Sequence, residues 1–591
     1  MAQNGLTRIF LSYITRLRLA LIGHEELTGI VFWAASIGFL GALASVAFRE
    51  GIRLFELALT GRVGGLVLAA SLIPWWERIL VPVIGGLLAG LVMHYGSRAL
   101  QARRAVDYME AIVVGNGVIG ARATLIRSVA SLFTIASGGS IGREGPMVQL
   151  AALIGSKIGK LVHAPVPRLR LMVACGAAAG ITSAYNAPIA GAMFVAEIVM
   201  GSIAMESFGP LLVASVTANA TIHNFLGYGP VFNAPAFQYL SNWELIAYAL
   251  LGVLLGHMAP PFLALLQWSK RQFSRLKLPA YAVMPLGGLI VGAISVYVPE
   301  VWGNGYSTVG EILSGDLAGQ LLAVVLIAKV LSTAATVGSG AVGGVFTPTL
   351  FVGAAIGAVA GGALHSLLPT VVSSGSAYAL VGMGGFLAAT THAPLMSILM
   401  IFEMTLDYQV VLPLMLACVT AHYTAKVYRG GESIYHEALR PAALRAPASA
   451  AAGEEEWRLH TIGALIKPCP IIVRRGTPLE QVLKDLPNRP VEAVYVVNED
   501  LELVASANPH ELFEAIKTGQ MLPSADIESA ATAVAVSLRD DMALGSALDV
   551  FLRTDARALP VTSGQWRPTL IGQVLRRDLL LAVQDRMSEG H

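Results

Sequence analysis

Charged residues are scarce in this chain of 591 residues, at 13%, whereas an ordinary soluble domain carries about 25%. Hydrophobic residues make up 55% and the mean hydropathy is +0.65, which excludes a soluble globular protein and indicates a membrane protein. The small net charge of +2 indicates no nucleic-acid partner. The three cysteines, Cys175, Cys418 and Cys469, are too widely spaced for a disulfide framework or a zinc site. We expect no metal and no required cofactor.

The first 27 residues lack the clean apolar core and the small-residue cleavage site of a signal peptide. Their basic, acid-poor character leaves a transit peptide open, but an amphipathic cytosolic helix that leads into the first span is favoured. From Thr28 to about Tyr428, apolar segments follow one another. Some reach the roughly 20 residues that a bilayer span needs, such as TGIVFWAASIGFLGALASVAF and WELIAYALLGVLLGHMAPPFLALL.

The membrane region repeats itself. NAPIAGAMFVAE at 186–197 returns as HAPLMSILMIFE at 392–403, and SGGSIGREGPMVQ at 137–149 returns as GSGAVGGVFTPTL around 338–350. Glycines and prolines interrupt the corresponding segments of both halves, and such backbone survives at membrane depth only where protein or water satisfies it. Paired breaks of this kind are typical of transporters whose site lies between two inverted repeats.

The chemistry of these breaks favours an anion. A helix that begins inside the membrane presents free N–H groups and the positive end of its dipole, and glycines let a ligand come close to the backbone. Arg143 either holds the loop or draws anions to the mouth. Glu144 carries a carboxylate in the middle of this turn. When it is ionised it blocks the site as a tethered anion, and when it is protonated it swings away, so we interpret it as a gate that also carries a proton.

Two alternatives come from other classes of protein. GGSIG at 138–142 fits the nucleophile pattern of serine hydrolases, which would make Ser140 a nucleophile and His392 its base. The repeat already accounts for these glycines, and Val342 stands at the position equivalent to Ser140. A divalent-cation transporter would need clustered carboxylates in the membrane, whereas this chain offers isolated ones. We therefore expect no enzyme.

The motifs GREGP, VQLAALIGSKIG and GGVFTP, together with a tyrosine in GESIYHEAL after the last span, resemble those of the ClC family of chloride channels and proton/chloride exchangers. The resemblance covers roughly residues 28–440. It implies an all-helical, inverted-repeat membrane domain over residues 1–440, with one pore per subunit of a homodimer. It makes Glu144 the gate and implies that the central chloride is held by the amides of Val345 and Phe346 and the hydroxyl of Tyr435. The anion-binding residues expected from the breaks and the resemblance together are Gly142, Arg143, Gly145, Gly344, Val345, Phe346 and Tyr435.

Two features depart from the family pattern. The motif GSGIP, whose serine binds chloride, is absent, and LQARRAVDYMEAI stands in its place, with Arg103 or a neighbour replacing the serine. The internal proton-handling acid expected directly after Glu197 is Ile198. The first departure bears on anion selectivity, and the second weakens the case for exchange without removing it. We read Glu197 and its repeat equivalent Glu403 as acids that brace backbone rather than carry protons.

The composition changes after the last span. An Ala/Pro/charged linker at 441–457 precedes two similar soluble segments within 458–587, each with the pattern strand, helix, strand, strand, helix. This resembles a tandem pair of CBS domains, an α+β module. Asp578 stands where such domains hold a nucleotide ribose, but the usual Thr or Ser is Leu575 and the first copy has no matching Asp. A dimerisation module is therefore favoured over adenine-nucleotide binding.

The sequence thus predicts a multi-pass membrane protein that transports chloride through a glutamate-gated pore. Because Glu144 is titratable, we favour proton-coupled exchange, and the alternative is a gated chloride channel that responds to voltage or pH. The partners expected are chloride, protons, the lipid bilayer and a second copy of the chain. The expected location is a bacterial cytoplasmic membrane.

Overall fold

A computed structural model describes most of the chain. The residues described are 26–62, 64–99, 106–113, 115–201, 203–227, 231–232, 235, 237, 240–427, 433–435, 461–484, 491–518, 521–522, 524–529, 531–533, 536–552, 554, 556–563 and 569–589. The chain divides into two compact units between Pro441 and Ala442. Arg103 and the predicted linker at 441–457 lie outside the described residues.

The first unit is helical throughout its described part. Six of its helices are long and apolar enough to cross a membrane, by length and composition, so the prediction of a multi-pass membrane domain is confirmed. The α-helices of this unit are Glu26–Thr60, Leu66–Leu72, Trp75–Ala99, Tyr108–Val113, Ala121–Ala136, Glu144–Leu161, Val166–Tyr185, Pro188–Met193, Met205–Leu226, Glu244–Arg275, Ala280–Ser295, Tyr306–Ser314, Gly319–Gly338, Phe346–Leu367, Gly375–Thr391, Pro394–Thr405 and Val411–Val427.

Three further elements are not α-helical. A π-helix, Phe194–Met200, continues the short helix Pro188–Met193, and 3₁₀ turns occur at Pro299–Val301 and Tyr408–Val410. The helices that matter most for function are called the Glu144 helix (Glu144–Leu161) and the Phe346 helix (Phe346–Leu367) below. Each begins at a buried residue within the unit, with Glu144 4% exposed and Phe346 1% exposed. These are the interrupted helices that the glycines and prolines of the sequence predict.

The two halves meet through equivalent residues. The N–H of Gly142 donates to the carbonyl of Gly344 at 2.7 Å, and the N–H of Gly344 donates back to Gly142 at 2.9 Å, in an antiparallel bridge. Gly344 is the repeat equivalent of Gly142 at an offset of 202 residues. A segment that pairs reciprocally with its own equivalent lies on a local twofold axis. The predicted inverted repeat is therefore present in the backbone itself.

A second reciprocal contact braces the halves. The Glu197 carboxylate accepts from the N–H groups of Leu395 (3.2 Å) and Met396 (2.7 Å) at the start of helix Pro394–Thr405. Glu403 repeats the arrangement on the other half, since its carboxylate accepts from the N–H groups of Ile189 (2.9 Å) and Ala190 (2.7 Å). Carboxylates suit helix N-termini because they satisfy free N–H groups and complement the dipole. The structure agrees with the reading of both acids as braces.

The second unit has two halves of the predicted order. Strands β1 (Ile472–Arg474), β2 (Val494–Val497), β3 (Leu503–Ala507) and β4 (Thr532–Ala533) form one sheet, and β5 (Leu538–Arg539), β6 (Ala558–Ser563) and β7 (Thr569–Leu575) form the other. The first pair of each sheet is parallel and the remaining pairs are antiparallel. The helices of this unit are Leu479–Lys484, Pro509–Lys517, Leu544–Leu552 and Arg576–Glu589, with 3₁₀ turns at Ile462–Leu465 and Ile527–Ser529. This order is compatible with a pair of CBS domains.

Candidate anion site

Glu144 lies at the point where the two interrupted helices meet. Its carboxylate accepts two hydrogen bonds from one residue of the other half: the N–H of Thr347 at 3.2 Å and the hydroxyl of Thr347 at 3.2 Å. Backbone N–H and hydroxyl donors at a helix start are groups that also suit a small anion. The side chain of Glu144, the predicted gate, therefore lies buried where the two helices begin.

The glycines around Glu144 provide space rather than donors. The N–H groups of Gly142 and Gly344 bind each other's carbonyls, so neither amide is free for an anion. A Cβ on either glycine would collide with the Glu144 carboxylate. Gly145 is less confined, because a Cβ there would make a tight contact of 3.3 Å with the N of Gly344. The bridge between the halves uses the amides of Gly142 and Gly344, so the part left to these two glycines in the predicted anion site is the space beside Glu144.

Aromatic side chains line one side of this position. The ring of Tyr185 packs against that of Phe346 with centroids 4.8 Å apart, and Phe194 lies 6.3 Å from Phe346. Tyr435, which is half-buried, meets Phe194 edge-on with ring centroids 5.5 Å apart. The segment that carries Tyr435 is fixed by a hydrogen bond from the N–H of Ile434 to the carbonyl of Thr390 at 2.9 Å. Tyr435 and Phe346 thus belong to one aromatic cluster, in which Phe194 lies between them.

Arg143 lies at the opposite end of this series of rings. Its guanidinium carbon is 5.5 Å from the centroid of the Tyr306 ring, and that ring lies 6.4 Å from Tyr185. The Nε of Arg143 is buried without a hydrogen-bond partner. Arg143 is also close enough to Arg49 and Glu144 for electrostatic interaction. A cation with a buried, unused N–H beside Glu144 is compatible with the prediction that Arg143 draws anions to the mouth.

In the segment that stands in place of the GSGIP motif, a short helix starts directly after Asp107. The carboxylate of Asp107 accepts from the N–H of Met109 at 3.0 Å, at the start of the short helix Tyr108–Val113. The N–H of Tyr108 donates to the side-chain oxygen of Gln149 at 3.0 Å, which fixes this start to the Glu144 helix. The residue that the structure places at this helix start is Asp107, whereas the sequence pointed to Arg103 or a neighbour.

The hydrolase alternative finds no support in the surroundings of Ser140. Its hydroxyl is buried and lies 3.0 Å from the hydroxyl of Thr333, while its N–H donates to the hydroxyl of Thr336 at 3.2 Å. Both partners belong to the other half, so Ser140 joins the repeats. The ring of His392 packs against that of His422, with centroids 5.5 Å apart. The hydrogen bonds of Ser140 to Thr333 and Thr336 indicate a structural role between the halves rather than that of a nucleophile.

Metal ligands do not cluster in the described part of the chain, where no group of three His, Cys, Asp or Glu side chains is placed to hold an ion. The predicted nucleotide contact, Asp578, forms an ion pair with Lys467, with 2.7 Å between Nζ and Oδ2.

Two residues near Glu144, Thr347 and Tyr185, were not predicted from the sequence. Thr347 stands within the quoted motif GGVFTP and Tyr185 directly precedes the quoted NAPIAGAMFVAE, but only the structure shows their hydroxyls next to Glu144.

Fold and site together define an inverted-repeat membrane protein in which a buried acid lies where two interrupted helices meet. Residues 85–426 match the model of the voltage gated chloride channel family, and the chain belongs to that family. It is 55% identical over 421 residues to a ClcB-like chloride channel protein of Ralstonia nicotianae, an alignment that covers 70% of this chain and 98% of the relative. It is 41% identical to the voltage-gated ClC-type chloride channel ClcB of Salmonella typhimurium, over 68% of this chain and 97% of the relative.

Solved structures show the same fold. A slow cyanobacterial Cl⁻/H⁺ antiporter superposes with a TM-score of 0.62 at 26% identity, covering 69% of this chain and 97% of the antiporter. A eukaryotic CLC transporter superposes with a TM-score of 0.60 at 18% identity, covering 93% of this chain and 97% of the transporter. The predicted all-helical ClC fold and the predicted family are confirmed.

Proposed function

We propose that this protein moves chloride across a membrane through a pathway that Glu144 closes, and that it exchanges chloride for protons. The observation that carries the proposal is the buried Glu144 carboxylate, which accepts both of its hydrogen bonds from Thr347 of the other half. An ionised carboxylate there competes with chloride for the same donors. A protonated carboxyl has lost its charge and releases the position, so one side chain couples the movement of the anion to that of a proton.

The other assigned residues act on the same path. Arg143 attracts the anion toward Glu144, and the N–H groups of Val345 and Phe346 at the start of the Phe346 helix stabilise it beyond Glu144. The hydroxyl of Tyr435 donates to it at the far end of the aromatic cluster. Gly142, Gly145 and Gly344 leave the room that the carboxylate and the anion share. No cofactor takes part in this mechanism.

Proton coupling is supported by the 26% identical solved relative, which is a Cl⁻/H⁺ antiporter. A gated channel is the second candidate, because Ile198 stands where an internal acid is expected and because the Salmonella relative is named a chloride channel. We further propose that the protein works as a homodimer with one pathway per subunit, in a bacterial cytoplasmic membrane. The C-terminal unit then serves dimerisation.

The deciding experiment measures the reversal potential of the purified protein in reconstituted bilayers under crossed chloride and pH gradients. Exchange predicts a potential that shifts with both gradients. A potential that follows chloride alone, untouched by pH, would make the protein a channel. Bilayers with the Glu144→Gln variant serve as the matched control. That variant has no proton-accepting carboxylate at residue 144, so its reversal potential should not depend on the pH gradient. Absence of chloride flux in the folded wild-type protein would overturn the proposed function itself.

A further inference from the structure

Both hydrogen-bond donors of Thr347 are directed at one group. Its N–H and its hydroxyl each lie 3.2 Å from a different oxygen of the Glu144 carboxylate, and the residue is 1% exposed. Thr347 is the second residue of the Phe346 helix, where the backbone N–H has no acceptor within the helix. The side chain thus adds a second donor beside a donor that the helix start already provides.

Tyr185 fixes the direction in which the Thr347 hydroxyl donates. The two hydroxyl oxygens lie 3.1 Å apart, and Tyr185 is 1% exposed. A hydroxyl carries one proton, and an ionised carboxylate only accepts. When Glu144 is ionised, the proton of Thr347 therefore points at the carboxylate, and Tyr185 is the donor to Thr347. Tyr185 holds the threonine hydroxyl with its proton toward the position of the carboxylate.

Departure of the Glu144 side chain would leave the buried N–H of Thr347 unpaired and would remove the acceptor toward which the Thr347 hydroxyl points. An unpaired buried donor costs free energy that a ligand recovers. We infer that the Thr347 hydroxyl, oriented by Tyr185, is a ligand for the transported anion at the position that Glu144 vacates. The inference rests on the proposed function, because it assumes that chloride or a similar small halide replaces the carboxylate. It also supplies a hydroxyl ligand to a chain that lacks the GSGIP serine.

A purely structural hydroxyl would look different, and the same helix shows one. The hydroxyl of Thr349, two residues further on, donates to the carbonyl of Val345 in the preceding turn at 2.7 Å. That contact is the ordinary local bond of a helical threonine. The hydroxyl of Thr347 instead bonds across the repeat interface to two side chains of the other half. Thr349 is therefore the matched control for Thr347.

The test measures bromide and chloride affinity by calorimetry of the purified full-length protein in a Glu144→Ala background, which empties the position of the carboxylate. Thr347→Val keeps the shape of the side chain and removes the hydroxyl. We expect it to weaken halide binding about tenfold, because a hydrogen bond to a charged group contributes at least the free energy of one factor of ten. Thr347→Ser should restore the affinity, and Tyr185→Phe should weaken it by a smaller factor.

Unchanged halide affinity in folded Thr347→Val, or an equal loss in Thr349→Val, would overturn the inference. If Thr347→Val does not purify as a folded protein, Thr347→Ala and Thr347→Ser give the same comparison, and equal affinity of these two variants would overturn it as well. The two proposals fail differently. No halide binding in the Glu144→Ala background contradicts the proposed function, whereas binding that is indifferent to residue 347 contradicts only the role of Thr347.

Discussion

Gly142 and Gly344 occupy equivalent positions in the two membrane halves and pair with each other. Two residues further on the halves differ, because the repeat equivalent of Glu144 is Phe346. The next position again differs, with Gly145 in the first half and Thr347 in the second. The glycines that pair the halves through their backbones are alike, whereas the residues around the Glu144 carboxylate differ between the halves. The backbone bridge that supports the two halves is symmetric, whereas the contact between Glu144 and Thr347 is not.

This division follows from what each task requires. Reciprocal backbone contacts need the same residue on both sides of a twofold axis, as at Glu197 and Glu403. The proposed exchange of chloride for protons needs different groups at the centre of the path, namely an acid that leaves from one half and donors that stay from the other. Two carboxylates at that point would repel each other, and two threonines would leave nothing to titrate.

The largest effect is expected from replacing Glu144, an acid whose equivalent in the second half is Phe346. Glu144→Gln imitates the protonated acid, so it should carry chloride without pH dependence and abolish proton movement entirely. The wild-type protein should speed up as the pH falls, because acid populates the uncharged carboxyl that releases the path. The measurement is chloride and proton flux from proteoliposomes at several pH values, with Glu197→Gln as the matched acid control. A folded Glu144→Gln variant with the wild-type pH response, or with no anion flux, would contradict the gate.

The next largest effect concerns Tyr435, which belongs to the aromatic cluster of the anion path. Tyr435→Ala should lower halide affinity by about 1.5 to 3 kcal/mol, the contribution of a hydrogen bond to a charged group, while the fold and the dimer survive. Calorimetric halide titration checks this. Tyr423→Ala provides the control, because Tyr423 is 65% exposed on the last helix of the membrane unit. Unchanged affinity with reduced stability in detergent would make Tyr435 an interfacial residue instead.

A third prediction concerns the symmetric pair. Glu197→Gln and Glu403→Gln each replace one acceptor oxygen by an NH₂ group, which cannot accept from a backbone N–H, so each should lower the free energy of unfolding by about 2 kcal/mol. The two losses should be similar, and the ratio of chloride to protons should stay at the wild-type value. Thermal unfolding and reversal potentials provide the two readouts. A changed ratio in Glu197→Gln would give this acid a role in proton transfer.

Much of the scaffold could be predicted from the sequence because glycines, prolines and acids recur at fixed offsets in the two halves. Periodicity and motif spacing located the breaks and the C-terminal strand order. The prediction that Glu144 is a gate came from the placement of a carboxylate inside such a break and from the family resemblance. Sequence patterns do not report which N–H groups are already used, so the mutual pairing of Gly142 and Gly344 was missed. The roles of Thr347 and Tyr185 depend on a contact between side chains 162 residues apart, which no local pattern encodes.

The smallest effect is expected in the C-terminal unit, where a second internal repeat has also diverged. Asp578 has no matching Asp in the first copy and pairs with Lys467, whose side chain is 52% exposed. A half-exposed ion pair contributes at most about 1 kcal/mol, so Asp578→Ala should lower the stability of this unit by about 0.5 kcal/mol. Glu480→Ala, which removes the exposed pair with Lys484, is the matched control and should have a smaller effect. Calorimetry with ATP, AMP and adenosine should give no binding heat in the wild type or in either variant. Heat of binding that disappears in Asp578→Ala alone would show that the second copy diverged to hold a nucleotide, in the way that the membrane halves diverged to hold an anion.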